Sequence, residues 1–291
     1  MVNKWVELPL ALMNPGDLLL LPDPGYPDYL SGVSLGRVAY ETFPLTAEND
    51  FLPDLDAIPE ETARRAKFIY INYPNNPTGA VATKAFYEKL VAWAKTYEVG
   101  VVSDLAYGAL GYRGYENPSF LSTPGAKDVG IEFYTFSKTF NMAGWRLAFA
   151  AGNDQMIEAL NLIQDHLFVG IFPALQEAGI AALLDPKSEE AVAQLNATYD
   201  SRRDAFVQAA AKIGWKAFLS KGSFYAWMPV PEGYTSESFA DLLLEKAHVA
   251  VAPGKGFGPA GDAYVRIGLL VEPERLVEAV DRIANLHLFN N

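Results

Sequence analysis

The chain has 291 residues, half of them apolar, and its 35 acidic and 23 basic side chains give a net charge of −12. Such an acidic surface repels phosphate backbones and anionic lipid heads, so nucleic acids and membranes are not expected as partners. The sequence has no cysteine and three scattered histidines, which excludes disulfides and thiolate sites and argues against a metal centre.

The hydropathy pattern indicates a soluble, cytoplasmic protein. Residues 1–5 lack the apolar stretch after basic residues that a signal peptide carries. No uninterrupted apolar run reaches the ~18–20 residues that span a bilayer. The length allows one large domain, or a large and a small one.

The start of the chain predicts a helix, a strand and a rigid loop. Residues 5–13 have the pattern of a helix tail, stopped by residues 14–17, and Leu18–Leu21 that of a short buried strand. In the loop that follows, Tyr26 stands among turn-forming residues. A rigid aromatic side chain can stack on a flat ring, although a tyrosine packed under a loop is the commoner arrangement.

Two β-rich runs come next, each followed by a polar side chain. The first, residues 67–72, leads into a loop that contains Asn76. Thr83 then caps an amphipathic helix. The second run ends at Asp104, whose carboxylate needs a donor or a cation if it is buried, the alternative being an N-cap.

A third apolar run, Ile131–Phe136, leads to Lys138. Burial disfavours the ammonium form of a lysine, so Lys138 has the character of a Schiff-base lysine, with a plain surface lysine as the alternative. Alternating strands and helices over residues 67–137 predict a mainly parallel sheet, whose strand ends form the ligand crevice. We therefore expect Asn76, Asp104 and Lys138 at one edge of the sheet.

The second half of the chain predicts three helices, then a smaller mixed region. The helices are residues 154–167, 173–184 and 188–213, and the region after them has strands at 224–228, 249–252 and 264–268 and helices at 237–246 and 273–288. The glycine-rich residues 254–258 lack the spacing of a phosphate loop and predict an ordinary turn. Arg266, inside an apolar strand, requires a carboxylate partner, either a substrate or a structural ion pair.

Several of these segments resemble one known family. Ser137-Lys138 followed by Asn141 to Arg146 is similar to the cofactor-lysine signature of class I/II aminotransferases, which are fold-type I pyridoxal-phosphate (PLP) enzymes. Asn76-Pro77-Thr78-Gly79, Asp104-Leu105-Ala106-Tyr107 and Arg266-Ile267-Gly268 resemble further family motifs, in the family's order. The resemblance runs from residue 6 to the end of the chain.

The resemblance implies a role for each matching residue. Lys138 would hold PLP and move the substrate proton, Asp104 would pair with the pyridine nitrogen, and Tyr107 and Asn76 would bond the phenolic oxygen. Tyr26 would stack on the ring, and Arg146, Thr135 and Ser137 would hold the phosphate. Arg266 would bind the substrate carboxylate, which Asn76 would border.

The fold that the resemblance implies is α/β, the PLP-dependent transferase fold type I. It has a mainly parallel sheet flanked by helices and a smaller C-terminal α+β domain. Residues 1–187 would form a large PLP-binding domain, and residues 188–291 a connecting helix and the small domain. Family members usually form homodimers.

The implied activity is transfer of an amino group between an amino acid and a 2-oxo acid. A PLP-dependent C–S β-lyase and a catalytically silent PLP-binding sensor remain as alternatives. Family members are usually about a hundred residues longer at the N-terminus, where they carry part of the phosphate site. We therefore expect the large domain to be N-terminally incomplete, and the chain to bind PLP weakly and to transaminate poorly.

Overall fold

The computed structural model describes residues 4–167, 169–218 and 220–289. Residues 1–3, on which part of the signal-peptide argument rests, lie outside this set. The α-helices within it are α1 Lys4–Leu12, α2 Tyr29–Gly36, α3 Glu60–Arg65, α4 Lys84–Tyr97, α5 Ala126–Val129, α6 Phe136–Thr139, α7 Asp154–Leu167, α8 Pro173–Leu184, α9 Ser188–Lys212, α10 Ser236–Leu242 and α11 Pro273–Ala284. The strands are β1 Leu18–Asp23, β2 Ala39–Pro44, β3 Ala66–Asn72, β4 Gly100–Asp104, β5 Gly130–Thr135, β6 Ala148–Gly152, β7 Tyr225–Pro229, β8 Ala252–Pro253 and β9 Tyr264–Gly268.

A six-stranded sheet dominates the first half of the chain, in the order β2-β1-β3-β4-β5-β6. All neighbours pair in parallel except β6, which runs antiparallel to β5 at one edge. Strands β1, β3 and β4 are buried along nearly their whole length, as expected for a parallel sheet covered on both faces. The α/β fold with a mainly parallel sheet is confirmed.

Helix α4 shows how the local sequence sets these elements. The Thr83 hydroxyl accepts a hydrogen bond from the backbone N–H of Phe86, which caps the first turn. Apolar side chains at helical spacing, Phe86, Leu90 and Ala94 among them, face the core under the sheet. Glu98 ends the helix in the left-handed region, with φ of 57°.

The connection from β4 to β5 departs from the predicted alternation. Instead of a second long helix it contains the 3-10 turns Tyr112–Gly114 and Phe120–Ser122 and the four-residue α5. Its four glycines and two prolines favour turns over a helix. The buried Glu132 carboxylate on β5 holds this connection by accepting from the Phe120 backbone N–H at 2.8 Å and from the Ser119 hydroxyl.

A second sheet, antiparallel and three-stranded, lies in the last part of the chain in the order β7-β9-β8. Strand β8 has two residues where four were predicted, and it ends at Pro253, which has no N–H to donate. A separate apolar cluster, with Trp215, Phe239 and Val280 among its members, fills the space between this sheet, α10 and α11. The core of the smaller region is therefore largely its own.

The sequence did not indicate β2, α2 and α3, which build the other edge of the large sheet. Strand β2 is exposed along most of its length, so it lacks the apolar run that marks the inner strands. No helix in the described part of the chain is both long and apolar enough to cross a bilayer.

Candidate functional site

The carboxyl ends of β3, β4 and β5 bring the predicted polar groups together at one edge of the large sheet. Asp104 is the last residue of β4, Asn76 lies in the loop after β3, and Lys138 lies in α6 directly after β5. Asn72 at the end of β3 pairs in register with Asp104. The expected clustering of these side chains at the crevice of the sheet is therefore present.

Lys138 is half-buried and lies among aromatic rings. Its Nζ is 5.4 Å from the centre of the Phe224 ring and 5.9 Å from that of Tyr107. Burial lowers the pKa of the Lys138 ammonium, the positive charges of Arg146 and Arg266 lower it further, and the Asp104 carboxylate opposes them. The Lys138 amine therefore loses its proton more easily than that of a free lysine, which is the direction expected for a lysine after an apolar strand.

Asp104 is buried and is held by a tyrosine from another strand connection. Tyr29, at the start of α2, donates its hydroxyl to Asp104 Oδ2 at 3.2 Å. The side-chain amide of Asn72 donates to the backbone carbonyl of Asp104 at 2.8 Å. Turns rather than a helix follow Asp104, so its alternative role as an N-cap is excluded.

Tyr107 is buried beside a second phenol, that of Tyr225 on β7. The two hydroxyl oxygens are 3.4 Å apart. Burial raises the pKa of Tyr107 well above its ordinary value, the Tyr225 phenol and Asp104 add to this, and Arg266 opposes it. Tyr107 therefore stays protonated and can donate a hydrogen bond into the site.

Arg266 on β9 reaches from the small sheet to the large one. Its Nη1 donates to Asn76 Oδ1 at 2.6 Å. Its guanidinium carbon lies 4.2 Å from the centre of the Tyr225 ring and 4.6 Å from that of Phe257. Among the described residues no carboxylate pairs with Arg266, so the structural ion pair considered for it is absent.

Of the predicted phosphate-binding residues, Thr135 and Ser137 form a compact hydroxyl pair, and Arg146 is exposed. Thr135 Oγ1 donates to Ser137 Oγ at 2.9 Å and accepts from the Ser137 backbone N–H at 3.2 Å. Arg146 is exposed and donates to the Ala143 carbonyl, yet its charge still acts on Lys138. A guanidinium and hydroxyl groups are both suitable donors to an anion.

Tyr26 lies in the loop after β1, partly buried, with its hydroxyl donating to Asp28 at 2.7 Å. Its ring meets that of Tyr29 edge-on at 5.6 Å, and the Asp104 carboxylate is close enough to contribute to raising the pKa of its phenol. The structure thus brings Tyr26 to the group of residues around Asp104.

Four residues of this site were missed by the sequence reasoning: Asn72, Tyr29, Tyr225 and Phe257. Each acts across a long sequence separation, and no short motif marks any of them. Tyr225 stands in the predicted strand 224–228, and Phe257 in the glycine-rich residues 254–258, which predict an ordinary turn. The register of β3 against β4 is the signal that would have indicated Asn72.

Comparison with known proteins gives one consistent family. The sequence model of aminotransferase class I and II matches residues 4–283. L-Glutamine--4-(methylsulfanyl)-2-oxobutanoate aminotransferase of Bacillus subtilis strain 168 is 57% identical over 284 residues, which are 98% of this chain and 71% of that protein. LL-Diaminopimelate aminotransferase of Moorella thermoacetica is 49% identical over 277 residues, 95% of this chain and 70% of that protein.

A solved structure gives the same result for the fold. The substrate-bound structure of BacF from Bacillus subtilis superposes with a TM-score of 0.93 at 46% sequence identity. The match covers 98% of this chain and 72% of that one.

Proposed function

The chain belongs to the class I and II aminotransferases. We propose that the residues around Lys138 form a PLP site, and that the enzyme moves an amino group between an amino acid and a 2-oxo acid at this site. Transfer of an amino group is the activity that the named relatives share. The PLP site and the individual residue roles are the proposal. The observation that carries it is the half-buried Lys138 with a lowered pKa, beside Asp104.

The side chains present suit PLP group by group. A neutral amine at Lys138 can bond an aldehyde carbon. The buried Asp104 carboxylate can accept from a protonated ring nitrogen, and the Tyr107 phenol can donate to a phenolate oxygen. The hydroxyls of Thr135 and Ser137 can donate to a phosphate. Bound there, PLP supplies a ring that withdraws electrons from the substrate α-carbon.

In this proposal, the Nζ atom of Lys138 serves both to hold the cofactor and to act as a base. This nitrogen would hold the cofactor, and the same atom, as a free amine, would take the proton from the substrate α-carbon. A base works best when its pKa lies near the working pH, which is the direction in which burial and the arginine charges move Lys138. The nearby rings of Tyr107 and Phe224 limit the access of water to this amine.

Arg266 orients the amino acid by its carboxylate. The rings of Tyr225 and Phe257 lie against the guanidinium and restrict its movement, and the bond to Asn76 uses one of its five N–H donors. The other donors remain for a bidentate pair with a carboxylate. A substrate carboxylate bound by Arg266 would border Asn76, as the family resemblance implies.

The experiment that tests this function is an amino-transfer assay with PLP added in excess. L-Glutamine and 4-(methylsulfanyl)-2-oxobutanoate are the first pair to try, since a relative that is 57% identical is named for them. A panel of other donors follows, with pyruvate release from cystathionine as the assay for the lyase alternative. Bound PLP without turnover of any donor would contradict the proposal and leave the sensor alternative.

We further propose that the enzyme is a homodimer that uses α8 as part of its interface. Helix α8 is apolar on nearly all sides, yet Gly179 is its only buried residue, while Ile180, Leu183 and Leu184 are 49%, 48% and 75% exposed. A helix with this composition is normally covered. The expectations of a cytoplasmic location and of no nucleic-acid partner stay predictions.

A further inference from the structure

Asn72 is a buried side chain that connects two parts of the site and that no motif singled out. It is the last residue of β3 and is 2% exposed. Its Nδ2 donates to the backbone carbonyl of Asp104 at 2.8 Å, and its Oδ1 accepts from the backbone N–H of Asn76 at 2.8 Å. One amide therefore joins the end of β4 to the loop after β3.

The orientation of this amide is fixed by its partners. If it were turned over, the NH2 group would face the N–H of Asn76 and the oxygen would face the carbonyl of Asp104. Both contacts would be repulsive, because they would pair donor with donor and acceptor with acceptor. Asn72 can therefore bridge the two backbones in one orientation only. A bridge of this kind can fix the distance between the end of β4 and the loop after β3.

The bridge lies in the middle of a longer series of hydrogen bonds. At one end, Arg266 Nη1 donates to Asn76 Oδ1 at 2.6 Å. At the other end, the Tyr29 hydroxyl donates to Asp104 Oδ2 at 3.2 Å. The series thus runs from β9 of the small sheet, through the strand ends of the large sheet, to α2.

We propose that Asn72 is a positioning residue, which fixes the carboxylate-binding pair Arg266–Asn76 relative to the ring-binding Asp104. The inference rests on the proposed function, because it assigns substrate to one end of the series and cofactor to the other. Substrate and cofactor react only when the α-carbon is held at the correct place over the ring. A displacement of one group by about 1 Å is enough to slow such a reaction about a hundredfold.

The test compares Asn72→Ala with Asn153→Ala. Asn153 is a matched control, since its amide donates to the Asp128 carbonyl and accepts from the backbone N–H groups of Gln155 and Met156, after β6 and away from the site. Both variants lose a bridging amide, so both are expected to lower the melting temperature. Only Asn72→Ala is expected to raise the PLP dissociation constant and the donor KM, each about tenfold.

Asn72→Asp tests the two hydrogen bonds of the Asn72 side chain separately. It also serves as the test variant if Asn72→Ala does not fold. It keeps the acceptor for the Asn76 N–H and loses the donor to Asp104. We expect weaker PLP binding with a donor KM near that of the unmodified protein. A purely structural role would give a lower melting temperature with PLP affinity and KM both within twofold of the unmodified protein in each Asn72 variant, and this result would overturn the proposal.

A measurement without cofactor keeps this inference distinct from the proposed function. Asp104 and Arg266 act on the pKa of Lys138 in opposite directions, so moving either changes the rate at which Lys138 is acetylated. In the cofactor-free protein we expect a severalfold change in that rate for Asn72→Ala and none for Asn153→Ala. An equal rate in the two variants would overturn the proposal, whereas failure of the unmodified protein to bind PLP would contradict the proposed function alone.

Discussion

At the scale of single residues, the charge state of Lys138 decides what the site can do. Burial is the main cause of its lowered pKa, and two arginines contribute through their charges. Arg266 lies on the small sheet and Lys138 in α6, directly after a strand of the large sheet, so the small region contributes to the lowered pKa of Lys138. Because the effect is electrostatic, it depends on the charge at position 266 and not on the shape of the side chain.

Replacing Arg266 tests this dependence. In Arg266→Gln the pKa of Lys138 is expected to rise, since a positive charge that lowers it is gone, and acetylation of Lys138 at pH 8 is expected to slow. Arg266→Lys keeps the charge and is expected to react at nearly the original rate, although it loses the fork that binds a carboxylate. Acetylation rates of the cofactor-free protein, followed by peptide mass spectrometry, give the answer. Equal acetylation rates in Arg266→Gln and Arg266→Lys would contradict the dependence of the Lys138 pKa on the charge at position 266.

Asp104 is the second residue whose charge the proposed function requires. Asp104→Asn keeps the size of the side chain but cannot stabilise a positive ring nitrogen. We expect PLP to remain bound while removal of the substrate α-proton slows on the order of a thousandfold. Single-turnover kinetics with a deuterated α-carbon would measure that step. A rate close to that of the unmodified protein would mean that Asp104 has only a structural role.

The residues predicted from sequence were those that stand in short motifs. Asn76, Asp104 and Lys138 each follow an apolar run, and the structure brings them to one edge of the sheet. Tyr29 and Asn72 could not be found in this way, because each meets Asp104 only after the strands have paired. A hydrogen bond between distant segments leaves no local pattern in the sequence.

At the scale of elements, Glu132 holds the long connection between β4 and β5. Its carboxylate accepts from Ser103 Oγ at 2.9 Å and from the Phe120 N–H at 2.8 Å, as well as from Ser119. Glu132→Ala leaves these donors without that acceptor and is expected to lower the free energy of unfolding by about 3 kcal/mol. Glu116→Ala, at an exposed position of the same connection, is the control and is expected to have little effect. Equal denaturation midpoints for the two variants would contradict the prediction.

The same carboxylate makes a testable contribution to pH dependence. Burial raises the pKa of Glu132, and its three hydrogen bonds oppose this only in part. A raised pKa in the folded state gives stability that is present below the unfolded pKa and is lost as the pH rises through the folded value. Glu132→Gln binds no proton, so the unmodified protein is expected to gain stability relative to it as the pH falls from neutral to acid.

Elements with strong periodicity or apolar character were predicted well, and the others were not. The Thr83 cap and the apolar face of α4 identify that helix from sequence alone. The alternation of strands and helices predicts a helix after β4, whereas hydrogen bonds to Glu132 hold this connection in turns. Strand β2 was missed because an exposed edge strand has no apolar run.

At the scale of the whole molecule, the exposed apolar surface of α8 is the main feature that the single chain does not explain. Leu184→Glu places a charge where the proposed interface needs an apolar contact, so the protein is expected to shift from dimer to monomer. Leu244→Glu is the control, since Leu244 is also exposed, at 54%, but lies in the small region. Sedimentation velocity of both variants measures the effect. A monomeric unmodified protein, or an unchanged dimer in Leu184→Glu, would contradict the proposal.

Reduction of the PLP-loaded protein with borohydride tests the central claim most directly, because it fixes the cofactor to the amine that holds it. We expect one labelled peptide, which contains Lys138. We expect no specific label in Lys138→Arg, because a guanidinium cannot replace the amine that holds the cofactor. Lys255, in the glycine-rich loop, is the internal comparison and is expected to stay unlabelled. Label at Lys255 or spread over surface lysines, with none at Lys138 at saturating PLP, would contradict the account.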